Sequence, residues 1–473
     1  MNIIFNRRHA EYIANEMRWR RSRDAYRGGR EYITNALVRH ISEIDAEFQE
    51  RQARAYYFNY PRAVARRITQ HVLGVDPVRR GASPELVEDW SRTGLRANEV
   101  MRQLSTMLNV YGRAWLLVES PEFSGSVTVA EARRRNLRPY VTALSPLEVT
   151  DWALGADGRL EWAIVADETV EKSDPFKPAR RFRRRRLYER ERWRLFGEDV
   201  GGVVELASGA NPLGEVPLVS VVEPDGFGMA AGHWFEDVVR ISEAILNNES
   251  EAQMNVVKQR FGMLVVSDSF ARGVQRAAAD DAGKGGRNLA ATVARSAAVI
   301  ESVEEKGLSR FISPSGIASE TIRQENQHLK QELYDVVGLA VQGTSREAQT
   351  AESKAWDFQN VGQFLAARAD LLEQAELGAW RMLHAYDPAA AVPEVVYNRK
   401  FAVRDLESSI SGLLKLTTLS SGRFFRRAVR RAALELLDAV SGIPEGEKQQ
   451  IQLEIDADGD AGAAPQPEEE ESI

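Results

Sequence analysis

The stretch that most constrains this chain runs from Trp234 to Gly343, where apolar spacing predicts a long helix, a short β-rich excursion and a second long helix coming back. The first helix, Trp234 to Arg260, opens with Trp234, Phe235, Val238, Val239, Ile241 and Ile245 at helical spacing, then turns polar on every side from Asn247 to Asn255. A helix that is polar all round is not expected to fill a private core. The excursion, Phe261 to Ser313, holds three strand-like runs, Met263 to Val266, Ala297 to Val303 and Arg310 to Ile312, around a Gly-, Ala- and Arg-rich segment. The return helix, Ser315 to Val337, keeps Ile322, Leu329, Leu333 and Val336 on one narrow stripe, and such a stripe calls for a partner helix. At about 1.5 Å per residue each helix reaches roughly 35 to 40 Å, enough to carry the excursion clear of a body. Two exposed helices with a tip fit a repeated subunit packed side by side in a closed ring.

The flanking sequence supplies that body. Residues 1–110 read as helices: a basic amphipathic segment from Met1 to Arg23, one helix from Glu31 to Tyr57 with Ile33, Leu37, Ile41, Ile44 and Phe48 at spacings of three and four, a helix begun by Pro61, and two more over Ser83 to Thr93 and Asn98 to Leu108. At Tyr111 the period changes to two. Strands are expected over Gly112 to Glu119, Pro139 to Leu144, Glu148 to Ala153 and Leu160 to Ala166, with Asp157-Gly158 as a hairpin turn, then over Arg183 to Phe196 and Val216 to Val222. Pro224-Asp225-Gly226 is a hinge into the long helix. Beyond the return helix, Gly343-Thr344-Ser345-Arg346 interrupts the pattern. A long helix then follows over Ala351 to Tyr386, an extended piece near Val395 to Val403, and two helices over Asp405 to Leu419 and Arg423 to Val440. From Ile455 onward the composition is that of a disordered acidic tail. The class is mixed α+β, helix-dominated, divided as 1–110, 111–233, 234–260, 261–313, 314–340, 341–352, 353–402, 403–445 and 446–473.

Cysteine is absent, which excludes disulfides, thiolate nucleophiles and Cys-based metal sites, and the six histidines lack metal-ligand spacing. No metal, cofactor or catalytic residue is expected. No run of eighteen apolar residues occurs, and arginines interrupt the N-terminus, so neither a membrane span nor a signal peptide is expected and the chain should stay in the cytoplasm. Gly226-Phe227-Gly228-Met229-Ala230-Ala231 has the glycine spacing of a dinucleotide turn, but Pro224 breaks the tight turn and Asp268 comes too late to meet a ribose. A plain hinge is the better reading. Net charge is −7, whereas a dedicated nucleic-acid binder is usually basic overall. The arginine run Arg180, Arg181, Arg183 to Arg186, Arg190, Arg192 and Arg194 is interleaved with Glu189 and Glu191, consistent with either phosphate contact or ion pairing. Arg426, Arg427, Arg430 and Arg431 form a basic helix face opposite Phe425, Val429 and Leu434, read first as a solvated face.

Several pieces, in the same order, resemble the portal protein family of tailed bacteriophages. Tyr26-Arg27-Gly28-Gly29-Arg30-Glu31-Tyr32, followed by Arg39-His40, Glu43, Arg51 and Tyr56 to Asn59, is similar to the family's opening helices. Tyr111-Gly112-Arg113-Ala114-Trp115-Leu116-Leu117-Val118, Arg138-Pro139-Tyr140 and Val149-Thr150-Asp151-Trp152 resemble its β-rich wing. Trp234 to Arg260, the excursion and Ser315 to Val337 match its stem–clip–stem order, and Thr350-Ala351-Glu352-Ser353 resembles the segment after the tunnel loop. The resemblance implies a dodecameric ring at one capsid vertex of the virion, assembled in the host cytoplasm, with a channel for double-stranded DNA. It further implies docking of the terminase large subunit and then of a head–tail adaptor on the clip, and contact with the major capsid and scaffolding proteins. It places Gln342, Thr344, Ser345, Arg346 and Gln349 in the tunnel loop, Lys258, Arg260 and Lys330 along the stem channel, Arg287, Arg295, Glu301 and Glu304 in clip docking, and the four crown arginines near packaged DNA. The competing readings are a channel-less helical scaffold or adaptor of a viral particle and a dinucleotide-binding enzyme.

Overall fold

The change of period at Tyr111 marks the centre of the larger of two compact units, Met1–Phe401 and Ala402–Ile473. The computed structural model describes residues 3–121, 131, 137–171, 180–199, 202–224, 232–260, 263–267, 300–302, 310–312, 317–336, 351–399, 401, 425, 427–434 and 445–458. Helix α7 (Ala97–Tyr111) stops on Gly112, whose φ of +72° is left-handed and whose amide closes the last turn on the Leu108 carbonyl at 2.8 Å. The chain passes directly into β2 (Arg113–Glu119), buried from Arg113 to Val118. β2 is the middle strand between β3 (Tyr140–Leu144) and β9 (Leu218–Val222), antiparallel to both.

β2 is apolar on both faces because it serves two cores. Ala114, Leu116 and Val118 pack in one with residues of α5 (Tyr60–Val72), α7 and α10 (Ala351–Tyr386), among them Ile68, Leu104, Leu372 and Trp380. Trp115 and Leu117 pack in the other with Tyr12 and Trp19 of α2 (Ala10–Arg27) and with Trp152, Val165 and Tyr188. The last three belong to a five-stranded antiparallel meander, β4 (Val149–Leu154), β5 (Leu160–Glu171), β6 (Arg180–Glu189), β7 (Arg192–Asp199) and β8 (Gly202–Ala210), in sequential order. Gly158 takes φ +73° in the β4–β5 turn, as Asp157-Gly158 predicts.

Several elements differ from expectation. The single strand over Arg183 to Phe196 is a hairpin that turns at Arg190-Glu191 and pairs Tyr188 with Trp193; a two-residue turn costs so little sequence that the alternation runs on through it. The helix over Glu31 to Tyr57 is two, α3 (Arg30–Ala36) and α4 (Asp45–Arg54). Ile41 and Ile44, which suggested a continuous apolar stripe, are 97% and 61% exposed. What goes inside is the Arg51 guanidinium, which donates to the Val38 carbonyl at 2.7 Å and to Glu43 at 2.8 Å and so holds the non-helical 37–44 segment in place. The helix over Ser83 to Thr93 shrinks to α6 (Pro84–Glu88).

The helix–excursion–helix is present as α8 (Trp234–Arg260), β10 (Met263–Ser267), β11 (Ile300–Ser302), β12 (Arg310–Ile312) and α9 (Ile317–Val336). β10 lies between its neighbours, parallel to β11 and antiparallel to β12, and α8 and α9 pack along one another. β1 (Val78–Arg80) pairs with β13 (Glu394–Val396) beside α10. The smaller unit contains helix α11 (427–434) and helix α12 (Glu445–Asp458); the stretch expected as an acidic disordered tail from 446 therefore begins as helix. The protein is mixed α and β with helix in the majority.

Candidate functional site

The pair α8–α9 and the knot at its root are the most specified polar structures in the larger unit. The polar side chains of α8 between Glu243 and Ser250 are hydrogen-bonded from two sides by other parts of the same chain. On one side Glu243 accepts from Arg21 Nε at 2.9 Å and from the Tyr32 hydroxyl at 3.1 Å. Asn247 accepts from the Val38 amide at 2.8 Å and donates to the Ala36 carbonyl at 3.1 Å, and Ser250 accepts from Arg51 Nη1 at 2.9 Å. Burial, reinforced by Tyr57 and the Glu243 charge, pushes the Tyr32 phenol far above its ordinary value. On the other side Asn248 donates to Asn326 Oδ1, and Asn326 Nδ2 donates to Glu249, both at 3.0 Å. Within the run that the sequence makes polar on every side, Asn247 to Ser250 thus find partners in the same chain.

Among the described residues of α9 the buried positions are Ser319, Asn326 and Leu333, spaced by seven, whereas the predicted Ile322 and Leu329 are only half-buried. An amide at the central seam position of a helix pair fixes register, because any slip would strand its hydrogen bonds. An open cleft of about 770 Å³ lies between α2, α3 and α8. Three of the arginines that line it are ion-paired: Arg21 with Glu243, Arg23 with Asp24 and Arg240 with Glu236.

At the root, Arg368 of α10 is buried and ion-paired with Glu223, with Phe364 and Trp234 facing its guanidinium at 5.1 and 5.7 Å. Trp234 Nε1 donates to the Glu223 carboxylate at 3.0 Å, the Glu223 amide donates to the Gly112 carbonyl at 2.9 Å, and Gly232 donates back to the Glu223 carbonyl at 2.9 Å. One ion pair therefore ties together α10, the end of β9, the start of α8 and the α7–β2 turn. Burial pulls the Arg368 guanidinium below its ordinary value and Glu223 pulls it back. Two turns further on, Glu376 is fully buried; it accepts from Trp380 Nε1 at 3.1 Å and from the Tyr397 hydroxyl at 2.6 Å, and it pairs with Arg79, whose Nη1 reaches Asn98 at 2.6 Å. Two buried charges of opposite sign fix α10 along and about its axis, since sliding or turning would leave each unpaired.

Of the sequence-predicted site residues, Gln342, Thr344, Ser345, Arg346 and Gln349 lie outside the described residues, as do Arg287, Arg295, Glu304 and Arg426. Glu301 sits in β11 opposite Val266 of β10. Lys258 and Arg260 occupy the last turn of α8 and Lys330 is half-buried on α9. Arg427 and Arg431 meet Asp456 in the smaller unit, at 2.9 Å to its carbonyl and 2.7 Å to its carboxylate, and Arg430 is exposed. The residues missed from sequence are Glu243, Asn326, Arg368, Glu376 and Asp456. Arg368 and Glu376 had a signal, because both fall on the α10 stripe of Leu365, Leu372 and Ala379, where a charge is out of place unless paired.

The glycine run at 226–231 lies outside the described residues, but the sheet it would serve is antiparallel on both sides of β2, not the parallel βαβ arrangement that a dinucleotide crevice needs. Among the described residues no group of three or more His, Asp or Glu side chains could hold a metal ion, and no helix is long and apolar enough to cross a membrane. No protein-family model matches the chain, and neither does any curated protein.

Proposed function

We propose that this chain is a portal-type subunit, which assembles as a ring around a channel that conducts double-stranded DNA into and out of a viral capsid. The observation that carries the reading is the packed pair α8–α9 closing on a small three-stranded sheet and followed by a single 36-residue helix, α10, the order the sequence resemblance implies. The register-fixing Asn326 seam and the two buried charges of α10 suit a part that must hold the sheet and the 337–350 segment at set positions in every subunit. The net charge of −7 suits a conduit, because each neutralised phosphate adds salt-dependent affinity that would slow a sliding duplex. In this reading the 261–313 excursion docks the packaging motor and later the adaptor, and Arg346 lies closest to DNA within the 341–352 loop.

Native mass spectrometry with negative-stain imaging of the purified protein tests the assembly. A closed ring of about a dozen subunits with a central hole is expected; a monomer or an open oligomer would favour a channel-less scaffold protein. Arg346→Ala should impair packaging or retention of DNA, and unchanged packaging would remove the loop assignment.

A further inference from the structure

The arginine face of the smaller unit is occupied by the chain itself. Residues 423–431 carry five arginines and no acid, whereas 445–473 carry ten acidic residues and one lysine. The structure brings these opposite blocks together at one residue. Arg427 and Arg431 stand one turn apart on α11, on a common face. Asp456 of α12 meets both: its carboxylate lies 2.7 Å from Arg431 Nη2 and 3.7 Å from Arg427 Nε, and its main-chain carbonyl accepts from Arg427 Nη2 at 2.9 Å. That carbonyl is among the last four of a helix ending at Asp458, so it has no partner within the helix and carries the negative end of the helix dipole. A carboxylate oxygen and a polarised carbonyl oxygen on one arginine pair present what a phosphate group presents: two acceptors and negative charge.

The contact is built to be exchanged. The side chains of Arg431 and Asp456 are 48% and 40% exposed, so water and salt screen their attraction, unlike the buried pairs of α10. A tethered anion competes at an effective concentration of about millimolar, enough to suppress weak phosphate contacts and too little to resist a densely charged duplex held nearby. We propose that α12 is a built-in mask: it occupies an arginine face, Arg427 and Arg431, which binds the backbone phosphates of double-stranded DNA independently of sequence once the mask is displaced. The choice of duplex DNA as the ligand rests on the conduit reading above.

The test is fluorescence anisotropy of a labelled random-sequence 30-bp duplex, titrated from 50 to 200 mM salt with the full chain and four variants: Asp456→Asn, a chain ending at 444, a chain ending at 459, and the chain ending at 444 with Arg427→Gln and Arg431→Gln. Releasing two arginines should steepen the salt dependence by about 1.8 per chain, roughly a twelvefold extra loss of affinity across that range. Asp456→Asn and the chain ending at 444 should both show tighter binding at 50 mM, and the paired glutamines should abolish the gain. The chain ending at 459 sheds Asp460 and Glu468 to Glu471 but keeps α12, so it should behave as the full chain. If it instead matches the chain ending at 444, the effect is bulk charge and the mask is refuted; if the glutamines leave the gain intact, the arginine face is refuted. Imaging the same preparations separates the two ideas: rings without unmasking sink the mask alone, and unmasking without rings sinks the ring alone.

Discussion

The Arg368–Glu223 pair gives an asymmetric prediction that a symmetric view of ion pairs would miss. Arg368 is 3% exposed at its side chain and Glu223 is 19% exposed, so the two single truncations leave different orphans. Glu223→Gln leaves a guanidinium sealed between Phe364 and Trp234, with Nη1 already lacking an acceptor; an uncompensated buried charge costs about 3–5 kcal/mol. Arg368→Met leaves a carboxylate that water can reach and that still accepts from Trp234 Nε1, and its loss is nearer the roughly 1–3 kcal/mol of a broken charged hydrogen bond. For a unit of 401 residues unfolding together, an unfolding entropy of about 2.1 cal/mol/K per residue converts each kcal/mol into about 1.2 °C. Thermal melts followed by far-UV circular dichroism should therefore lose roughly 4–6 °C for Glu223→Gln and 1–4 °C for Arg368→Met. The double variant should sit close to Arg368→Met, because the second change removes the stranded charge. If Arg368→Met proved the costlier single, or if both melted within a degree of the parent, the ion pair would not be what ties α10 to the root of α8.

Gly112→Ala should cost about 2–5 kcal/mol, since it adds a left-handed penalty to a Cβ that would run into the Gly232 carbonyl oxygen, whereas Gly158→Ala, at similar φ with nothing within 4 Å, should cost only about 1–2 kcal/mol by chemical denaturation. His9 caps α2 by accepting from the Glu11 amide at Nδ1 and stacks on Trp152 at 3.9 Å. Burial lowers its pKa from 6.5, opposed by Glu11 and Asp151 and aided by Arg113. Its contribution is therefore complete above 6.5 and is lost as pH falls through the depressed value, so amide protection factors in the first turn of α2, referred to the intrinsic exchange rate at each pH, should fall between pH 7.5 and 5 and lose that dependence in His9→Asn. Asn326→Ala should raise exchange in the facing segments of α8 and α9 by roughly 5- to 160-fold, the equivalent of about 1–3 kcal/mol of local stability; unchanged protection would mean that the amide does not hold the seam.

Sequence periodicity located those elements whose burial is one-sided and repeated. Trp234–Arg260, Ala351–Tyr386 and Arg310–Ile312 fall where spacing places them, and the buried part of β2 declares itself as the uninterrupted apolar run Ala114 to Val118. The failures have two causes: hydrogen bonding to residues distant in sequence leaves no period, and a two-residue turn is too short to break one. Ile41 and Ile44 complete a helical pattern and yet face solvent, because Arg51 ties 37–44 to Glu43 and to Ser250, some two hundred residues away. The β6–β7 turn vanishes from the pattern because two residues are too few to disturb it. At the site the same division holds: Arg368 and Glu376, missed from sequence, carry a signal as charges on the apolar α10 stripe, while Asn326 is one more polar residue on a polar helix.

The polar run of α8 shows why an exposed-looking helix need not be exposed. Hydrophobic patterning counts a residue as buried only if it is apolar, but Glu243, Asn247 and Ser250 meet donors and acceptors from α2 to α4, and Asn248 meets Asn326. An apolar seam of equal length would hold more tightly but would tolerate a shift of one turn at little cost, whereas each amide here has partners at one register only. The helix that carries the small sheet is thus positioned by hydrogen bonds and braced at its root by a buried ion pair. In the ring we propose, a fixed position in every copy would matter more than the last increment of stability.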